Sequence, residues 1–205
     1  MRPLSLALVL AAAAMAQEKR FFSHPPHLAL KLECKDCHAA ALASKDPTDN
    51  LLPAREMCAK CHKNALVSPP KATKLAHFSH AQHLQIGNVA PLIARAIDTG
   101  RYLLPATAAL RKSLDTNNVC LACHRDVLGE APAHDAMRRM ADCLVCHNQI
   151  APPDSCERCH GSGAALKPAT HTASFLDTHS GGNAKLDKST CAVCHGRNFT
   201  CLGCH

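Results

Sequence analysis

The segment Cys34-Lys35-Asp36-Cys37-His38 is the first of seven stretches in which a C-x-x-C pair is followed at once by histidine. All 14 cysteines of the 205-residue chain belong to such stretches. The seven are Cys34/Cys37/His38, Cys58/Cys61/His62, Cys120/Cys123/His124, Cys143/Cys146/His147, Cys156/Cys159/His160, Cys191/Cys194/His195 and Cys201/Cys204/His205. This spacing is typical of c-type haem attachment. Two thiols bond to the haem vinyl groups, and the next histidine becomes the proximal ligand of the iron. We therefore predict seven covalently attached haem c groups.

Other uses of paired cysteines fit this pattern less well. Zinc ribbons need two cysteine pairs for each metal ion and no histidine fixed behind each pair. Thioredoxin-like centres carry a single pair on a βαβ scaffold. A disulfide framework, the default for an exported chain, leaves the histidines without a role. Zinc and disulfides remain the alternatives, and haem attachment is favoured.

The composition suggests what fills the interior. Aromatic residues are only 3% of the chain, with no Trp and one Tyr, although aromatic side chains normally dominate a core. Seven haems would leave about 27 residues of mature chain for each. We therefore predict a mostly irregular fold with short α-helices, wrapped around a stacked haem core and without substantial sheet. The chain without haem should have almost no fold, since cofactor binding would supply the folding free energy.

Eight histidines lie outside the motifs, and seven distal ligands would make every iron six-coordinate. The segment Phe22-Ser23-His24-Pro25-Pro26-His27-Leu28 recurs as Phe78-Ser79-His80-Ala81-Gln82-His83-Leu84. A three-residue spacing on a turn or short helix can send two imidazoles to two different irons. The candidate distal ligands are His24, His27, His80, His83, His134, His171 and His179. His77 is left as the spare, a surface residue or a partner of a haem propionate. Of the methionines, Met57, Met137 and Met140 adjoin haem sites and are expected to pack on porphyrin faces.

The doubled F-S-H-x-x-H-L signature ahead of C-x-x-C-H sites resembles the cytochrome c3/c7 class of multihaem cytochromes. The resemblance implies low-potential electron carriers with two histidines on each iron. In that class the first histidine of the pair ligates a nearby haem and the second a different one, which we carry over to His24/His27 and His80/His83. The region from Gly87 to Cys120 resembles an insert of that family. The chain departs from the small members in having seven sites rather than three or four.

The chain divides into a leader and three predicted modules. Residues 1–16 read as a signal peptide cleaved after Ala16, because a short apolar run follows Arg2 and ends in an A-x-A site. Residues 17–68 form a dihaem module, 69–160 a trihaem module with a haem-free helical insert at 87–119, and 161–205 a C-terminal dihaem module. Pro69-Pro70-Lys71 and Gly161-Ser162-Gly163 mark the joints. We predict short helices at 89–99, ended by Gly100, at 106–113 and at 133–141.

The formal charge of +7 points to anionic partners only at first sight. Cleavage of the predicted signal peptide removes Arg2 and leaves a net charge of about +6. Seven haems with their propionates would bring the net charge to about −1 when ferric and about −8 when ferrous. The basic residues are dispersed and stacking aromatics are absent, so no nucleic-acid partner is expected.

These features predict a periplasmic or extracellular electron carrier rather than an enzyme, because saturated irons leave no place for a substrate. Its partners would be donor and acceptor cytochromes or a membrane quinol-linked complex. Two alternatives stay open. One is a reductase of nitrite, hydroxylamine or a sulfur oxyanion with one open haem, although no motif histidine is replaced by Lys. The other is the subunit of an extracellular cytochrome filament, a homo-polymer in which His77 could ligate a neighbour's haem.

Overall fold

A computed structural model describes residues 22–63, 73–129, 139–148, 156–162, 166, 171–175, 189 and 191–196. The predicted leader at 1–16 and the joint at 69–71 lie outside these ranges. The same holds for several predicted site residues and one methionine, namely His134, His179, Cys201, Cys204, His205 and Met137.

Short helices joined by irregular segments make up the described chain. They are α1 (Pro25–Leu28), α2 (Cys34–Cys37), α3 (Arg55–Ala59), α4 (His80–Ile86), α5 (Ala90–Asp98), α6 (Ala108–Lys112), α7 (Met140–Cys143) and α8 (Ala192–His195). Single 3₁₀ turns occur at Ala39–Leu42, Arg125–Leu128 and Cys156–Arg158. The described part contains no strand, only an isolated antiparallel bridge between Leu75 and His160. The predicted fold class, mostly irregular with short helices and no sheet, is confirmed. Within these ranges no helix has the length and apolarity needed to cross a bilayer.

Among the described residues, the buried hydrophobic core lies around the insert. Ala90, Ile93, Tyr102 and Leu114 are buried there, together with Ala122 inside the third cysteine motif and Ala141 just before the fourth. In contrast, Ser44 is the only buried residue between positions 22 and 63. Leucines of that region stay open to solvent, with Leu30 70% and Leu42 55% exposed. Protein atoms alone therefore give the N-terminal region no interior.

Two insert helices match their predicted positions to within two residues, α5 against 89–99 and α6 against 106–113. Pro91 lies in the first turn of α5, where its missing N–H breaks no helical bond. Gly100 follows α5 with φ +68°, a left-handed conformation that favours glycine. The Thr107 side chain caps α6 by accepting a hydrogen bond from the Leu110 N–H.

The third predicted helix, at 133–141, is partly wrong. Residues 130–138 lie outside the described part, but Arg139 has extended backbone (φ −80°, ψ 125°) and α7 runs from Met140 to Cys143. The side chain of Arg139 is held by an ion pair with Asp126 at 3.1 Å. Asp142, in the first turn of α7, is well placed for the positive end of the helix.

Two sets of hydrogen bonds join the N-terminal region to the segment that carries α4. The carbonyl of Ser44 accepts from the Ser79 hydroxyl at 3.3 Å and from the Ala81 N–H at 2.9 Å. The amide of Asn118 donates to the sulfur of Cys34 at 3.7 Å. Further along, the backbone N–H groups of Ala76 and His77 donate to the Cys159 carbonyl at 2.8 and 3.3 Å. Segments far apart in sequence are thus brought together next to cysteine motifs.

Candidate haem sites

Six of the seven cysteine motifs lie in the described part, and all six share one local geometry. In each, the N–H of the motif histidine donates to the carbonyl of the first cysteine at 2.9–3.0 Å, which closes one α-helical turn. Residues three and four positions apart lie on the same side of such a turn. The two thiols and the imidazole therefore share a face, as attachment of one porphyrin requires. The twelve described cysteines are free thiols, so none of them forms a disulfide.

The second cysteines of the second and fourth motifs are open to solvent. Cys61 and Cys146 are both exposed. The reason is that helices α3 and α7 end two and three residues earlier, at Ala59 and Cys143, and no other segment of the described chain buries either thiol. Cys61 and Cys146 are held only by their own turns, where each N–H donates to the carbonyl of the first motif cysteine at 3.1 and 3.2 Å. The same exposure is found at the second cysteines Cys123, Cys159 and Cys194.

Within the described residues no protein atoms shield Cys61 or Cys146, and a porphyrin bonded to these thiols would cover them. A thiol open to solvent is accessible for bond formation with a vinyl group. Their role as haem anchors stays a prediction.

Five motif histidines face a second histidine at a nearly constant distance. The ring centres lie 6.1–6.3 Å apart in all five pairs. The pairs are His24 with His38, His27 with His62, His80 with His124, His83 with His147, and His171 with His195. Each pair joins one candidate distal ligand to one candidate proximal ligand, so the structure brings five of the predicted seven together.

The separation of these rings matches two ligands on opposite sides of one metal ion. A metal–imidazole bond is about 2 Å long, so two imidazoles in trans place their ring centres roughly 6 Å apart. Two imidazoles bound at neighbouring corners of a tetrahedral zinc site would have their ring centres roughly 5 Å apart. Haem iron with two axial histidines has the trans arrangement. The observed 6.1–6.3 Å therefore fits an iron between each pair.

Backbone carbonyls fix the tautomer of several of these rings. Nδ1 of His27 lies 2.9 Å from the Ser23 carbonyl, Nδ1 of His83 lies 2.8 Å from the Ser79 carbonyl, and Nδ1 of His38 lies 2.7 Å from the Leu51 carbonyl. A carbonyl can only accept, so Nδ1 carries the proton and Nε2 keeps its lone pair. Such a bond is the usual support of a metal-ligating histidine.

The surroundings of His24 favour the neutral form of its imidazole. Partial burial, and then the facing His38 and neighbouring His27, lower the pKa of the His24 imidazole. An imidazole that stays neutral at pH 7 is the form that binds a metal ion.

A phenylalanine orients each histidine pair of the repeated signature, a role that the sequence analysis did not assign. Phe22 lies 4.8 Å from the His24 ring and 4.5 Å from the His27 ring. Phe78 repeats this at 4.7 and 4.5 Å from His80 and His83. The recurrence of Phe two positions before the first histidine was the signal for it. The two copies of the signature thus fold alike down to tenths of an ångström.

The C-terminal region uses a different arrangement for the same purpose. His171 faces His195 at 6.3 Å, and Phe175 stacks on His171 with ring centres 4.4 Å apart. Here the phenylalanine follows its histidine by four positions, a spacing that helical turns bring together. The F-S-H pattern is absent, which is why this contact could not be read from the repeat.

Thiols of different motifs approach one another. Partial burial, and then the nearby Cys34, raise the pKa of Cys120. Desolvation by surrounding protein atoms, and then the charges of Asp142, Cys123 and Cys159, raise the pKa of Cys143 to about 11. These contacts place the first motif beside the third, and the fourth beside the third and fifth.

Some candidate residues fall outside the five pairs. Nδ1 of His160 lies 3.2 Å from the Lys74 carbonyl, but His160 is not one of the paired rings. His77, the predicted spare, is exposed, and its N–H bonds to Cys159 in the same fifth motif. Met57 and Met140 lie one and three residues before the cysteines Cys58 and Cys143, in α3 and α7.

A buried ion pair lies between the third and fourth motifs and was also missed from sequence. Arg125 directly follows His124, and Asp142 directly precedes Cys143. The guanidinium Nη2 of Arg125 donates to Oδ2 of Asp142 at 2.5 Å, with side-chain exposures of 2% and 5%. The Tyr102 hydroxyl donates to the other carboxylate oxygen at 2.9 Å. Burial, and then Asp142, raise the pKa of Tyr102, so its proton stays in this hydrogen bond.

Comparison with known proteins adds one finding. Residues 20–74 match the family model described as cytochrome c7 and related cytochrome c. No curated protein and no solved structure is significantly similar to the chain. The matched range contains the first F-S-H-x-x-H segment, two cysteine motifs and two of the facing histidine pairs. Over this range the chain is similar to cytochrome c7 and related cytochromes c, a multihaem class with covalently bound haem c.

Proposed function

We propose that the chain is a periplasmic or extracellular heptahaem cytochrome that carries electrons along closely spaced haems, each iron held by two histidines. Haem supplies one-electron redox chemistry; the protein supplies anchors, axial ligands and spacing. The observation that supports this proposal most strongly is the set of five imidazole pairs with ring centres 6.1–6.3 Å apart. One histidine of each pair belongs to a turn that presents two thiols and an imidazole on one face.

The two signature helices each connect two haem sites. At α1 the rings of His24, which precedes the helix, and His27 face the first and second motif histidines. In α4 His80 and His83 face the third and fourth. Each short helix therefore holds two irons as neighbours, which favours electron exchange between them.

The hydrogen bonds between regions extend this to a longer route. The bond from Asn118 to Cys34 brings the first motif next to the third, since Asn118 also accepts from the Cys120 N–H at 2.9 Å. The haems would then be lined up in the order second, first, third and fourth. The fifth motif adjoins the segment leading into α4 through the bridge between Leu75 and His160. The route supports exchange with separate donor and acceptor redox proteins at different ends.

The proposal is tested by electron paramagnetic resonance of the oxidised holoprotein. Two histidine ligands make ferric haem low-spin, so we expect low-spin signals alone. A high-spin ferric signal that shifts on addition of nitrite or hydroxylamine would contradict the carrier and support the reductase. Cell fractionation tests the location: a pigmented product retained in the cytoplasm would overturn an extracytoplasmic role.

A further inference from the structure

The buried ion pair of Arg125 and Asp142 is the most strongly enclosed charge in the described part of the chain. Its two residues are 4% and 8% exposed. Arg125 also donates to the carbonyl of Ala122, inside the third cysteine motif. The pair therefore ties the third motif directly to the residue that precedes the fourth.

The N-terminal region shows that the histidine geometry does not need such a pair. There, Ala39 follows the motif histidine and Met57 precedes the next motif cysteine. The imidazole separations are nevertheless the same, 6.3 and 6.1 Å in both copies. The ion pair is thus an addition specific to the second copy, and its role lies beyond assembling two axial ligands.

The nearby charges are arranged asymmetrically along the chain. The positive Arg125 adjoins the third proximal histidine, and the negative Asp142 adjoins an anchor of the fourth haem. A second ion pair, Arg139 with Asp126, links the same two segments but is about one-third exposed. Charges in a water-poor interior act much more strongly than charges screened by solvent.

We propose that the Arg125–Asp142 pair, steadied by Tyr102, is a positioning element that holds the third and fourth haems in a fixed relation and sets their reduction potentials apart. This inference rests on the proposed function. The carboxylate stabilises ferric iron and lowers the potential of the fourth haem, and the guanidinium stabilises ferrous iron and raises that of the third. In each redox step one electron leaves a ferrous iron, which becomes ferric, and reduces a neighbouring ferric iron; the two charges favour transfer from the fourth haem to the third.

The test is a redox titration of the holoprotein followed by NMR, in which haem methyl signals report each haem separately. In Asp142→Asn we expect the reduction equilibrium constant of the fourth haem to rise about tenfold, which is about 59 mV for one electron. The first and second haems should keep their potentials. The matched control is Asp126→Asn, which makes the same charge change in the exposed pair. It should change the reduction equilibrium constant of every haem less than twofold.

Asp142→Asn leaves Arg125 buried without its partner and can destabilise the fold. A second variant avoids this problem. In Arg125→Met with Asp142→Leu both charges are replaced by apolar groups of similar size, a change that buried ion pairs commonly tolerate. We expect the potentials of the third and fourth haems to converge. The inference is overturned if the double variant keeps their separation, or if Asp142→Asn and Asp126→Asn have equal effects. Failure of the proposed function is distinguishable, because the unmodified protein would then lack covalent low-spin haem.

Discussion

A histidine that donates its Nδ1 proton to a backbone carbonyl has only one nitrogen left for a metal. His27 and His83 do this through the carbonyl four residues earlier, and His38 through the distant Leu51. The local bonds follow from the short helices α1 and α4. The distant bond depends on how the loop before α3 folds back, which sequence spacing does not encode.

The first prediction concerns a single distal ligand. His80→Ala should remove the ring that faces His124 at 6.3 Å and leave one iron five-coordinate. We expect a high-spin component of about one haem in seven by electron paramagnetic resonance, with a shifted potential for that haem. His77→Ala is the control, because His77 is exposed and outside the five pairs. An unchanged spectrum for His80→Ala would remove His80 from the ligand set.

Sequence reasoning singled out His24, His27, His80 and His83 but left open which motif histidine each one faces. The structure resolves this through contacts between segments far apart in the chain. Local spacing could not supply it, because the register of those segments is set by bonds such as Ala81 to Ser44. The pairing of Arg125 with Asp142 was not predicted for the same reason, because no local sequence pattern marks two residues that form a buried ion pair.

At the scale of elements, α4 is fixed at its start by Ser79. The Ser79 hydroxyl accepts from the Gln82 N–H and donates to the Ser44 carbonyl, both at 3.3 Å, and the residue is 7% exposed. It is therefore both a helix cap and a link between two regions. Helices α5 and α6 were predictable because proline, glycine and threonine mark their ends. Helix α7 was not, because tertiary ion pairing holds Arg139 extended.

The second prediction tests this cap. Ser79→Ala should lower the free energy of unfolding by about 1–2 kcal/mol, because it loses a cap and leaves the Ser44 carbonyl with one donor fewer. Denaturant unfolding followed by far-ultraviolet circular dichroism measures it. Thr107→Ala removes the cap of α6 and serves as the control. It should cost about 1 kcal/mol and leave the haem spectra unchanged. Equal haem perturbation in both variants would contradict the linking role of Ser79.

The third prediction concerns the core made by the polypeptide itself. Ile93 is 2% exposed in α5, and its neighbour Leu92 is 50% exposed. Ile93→Ala should cost about 2–5 kcal/mol by leaving a cavity. Leu92→Ala should cost about 0.5 kcal/mol or less, since its side chain is half in solvent. Thermal unfolding of the two holoproteins separates them. Similar losses of stability in the two variants would show that Ile93 is not packed in a core around the insert.

At the scale of the whole molecule, the described chain has one small protein core and a region without any. Residues 22–63 bury only Ser44, while leucines near the first two motifs and the anchor Cys61 stay exposed. The exposed apolar side chains beside the first two motifs are what a porphyrin face would cover. The low aromatic content already pointed to an interior supplied by another group. The sequence could not show that the insert would be the exception, with a core of alanines, Ile93 and Tyr102.

The fourth prediction follows from this imbalance. A chain produced without haem attachment should lose protection from hydrogen exchange throughout 22–63, because no buried apolar surface offsets the entropy of ordering it. Any remaining protection should be confined to α5 and its neighbours. Exchange measured by mass spectrometry, peptide by peptide, gives the map. Strong protection of 22–63 in the haem-free chain would show that the polypeptide does not depend on the cofactor for its interior.

The central claim is that every C-x-x-C-H turn carries a covalently bound haem, and the intact mass of the purified protein under denaturing conditions tests it most directly. Thioether bonds survive denaturation, so seven haems should add about 4.3 kDa to the processed polypeptide. A mass equal to that of the bare chain, with a colourless product that still folds or binds stoichiometric zinc, would contradict the account.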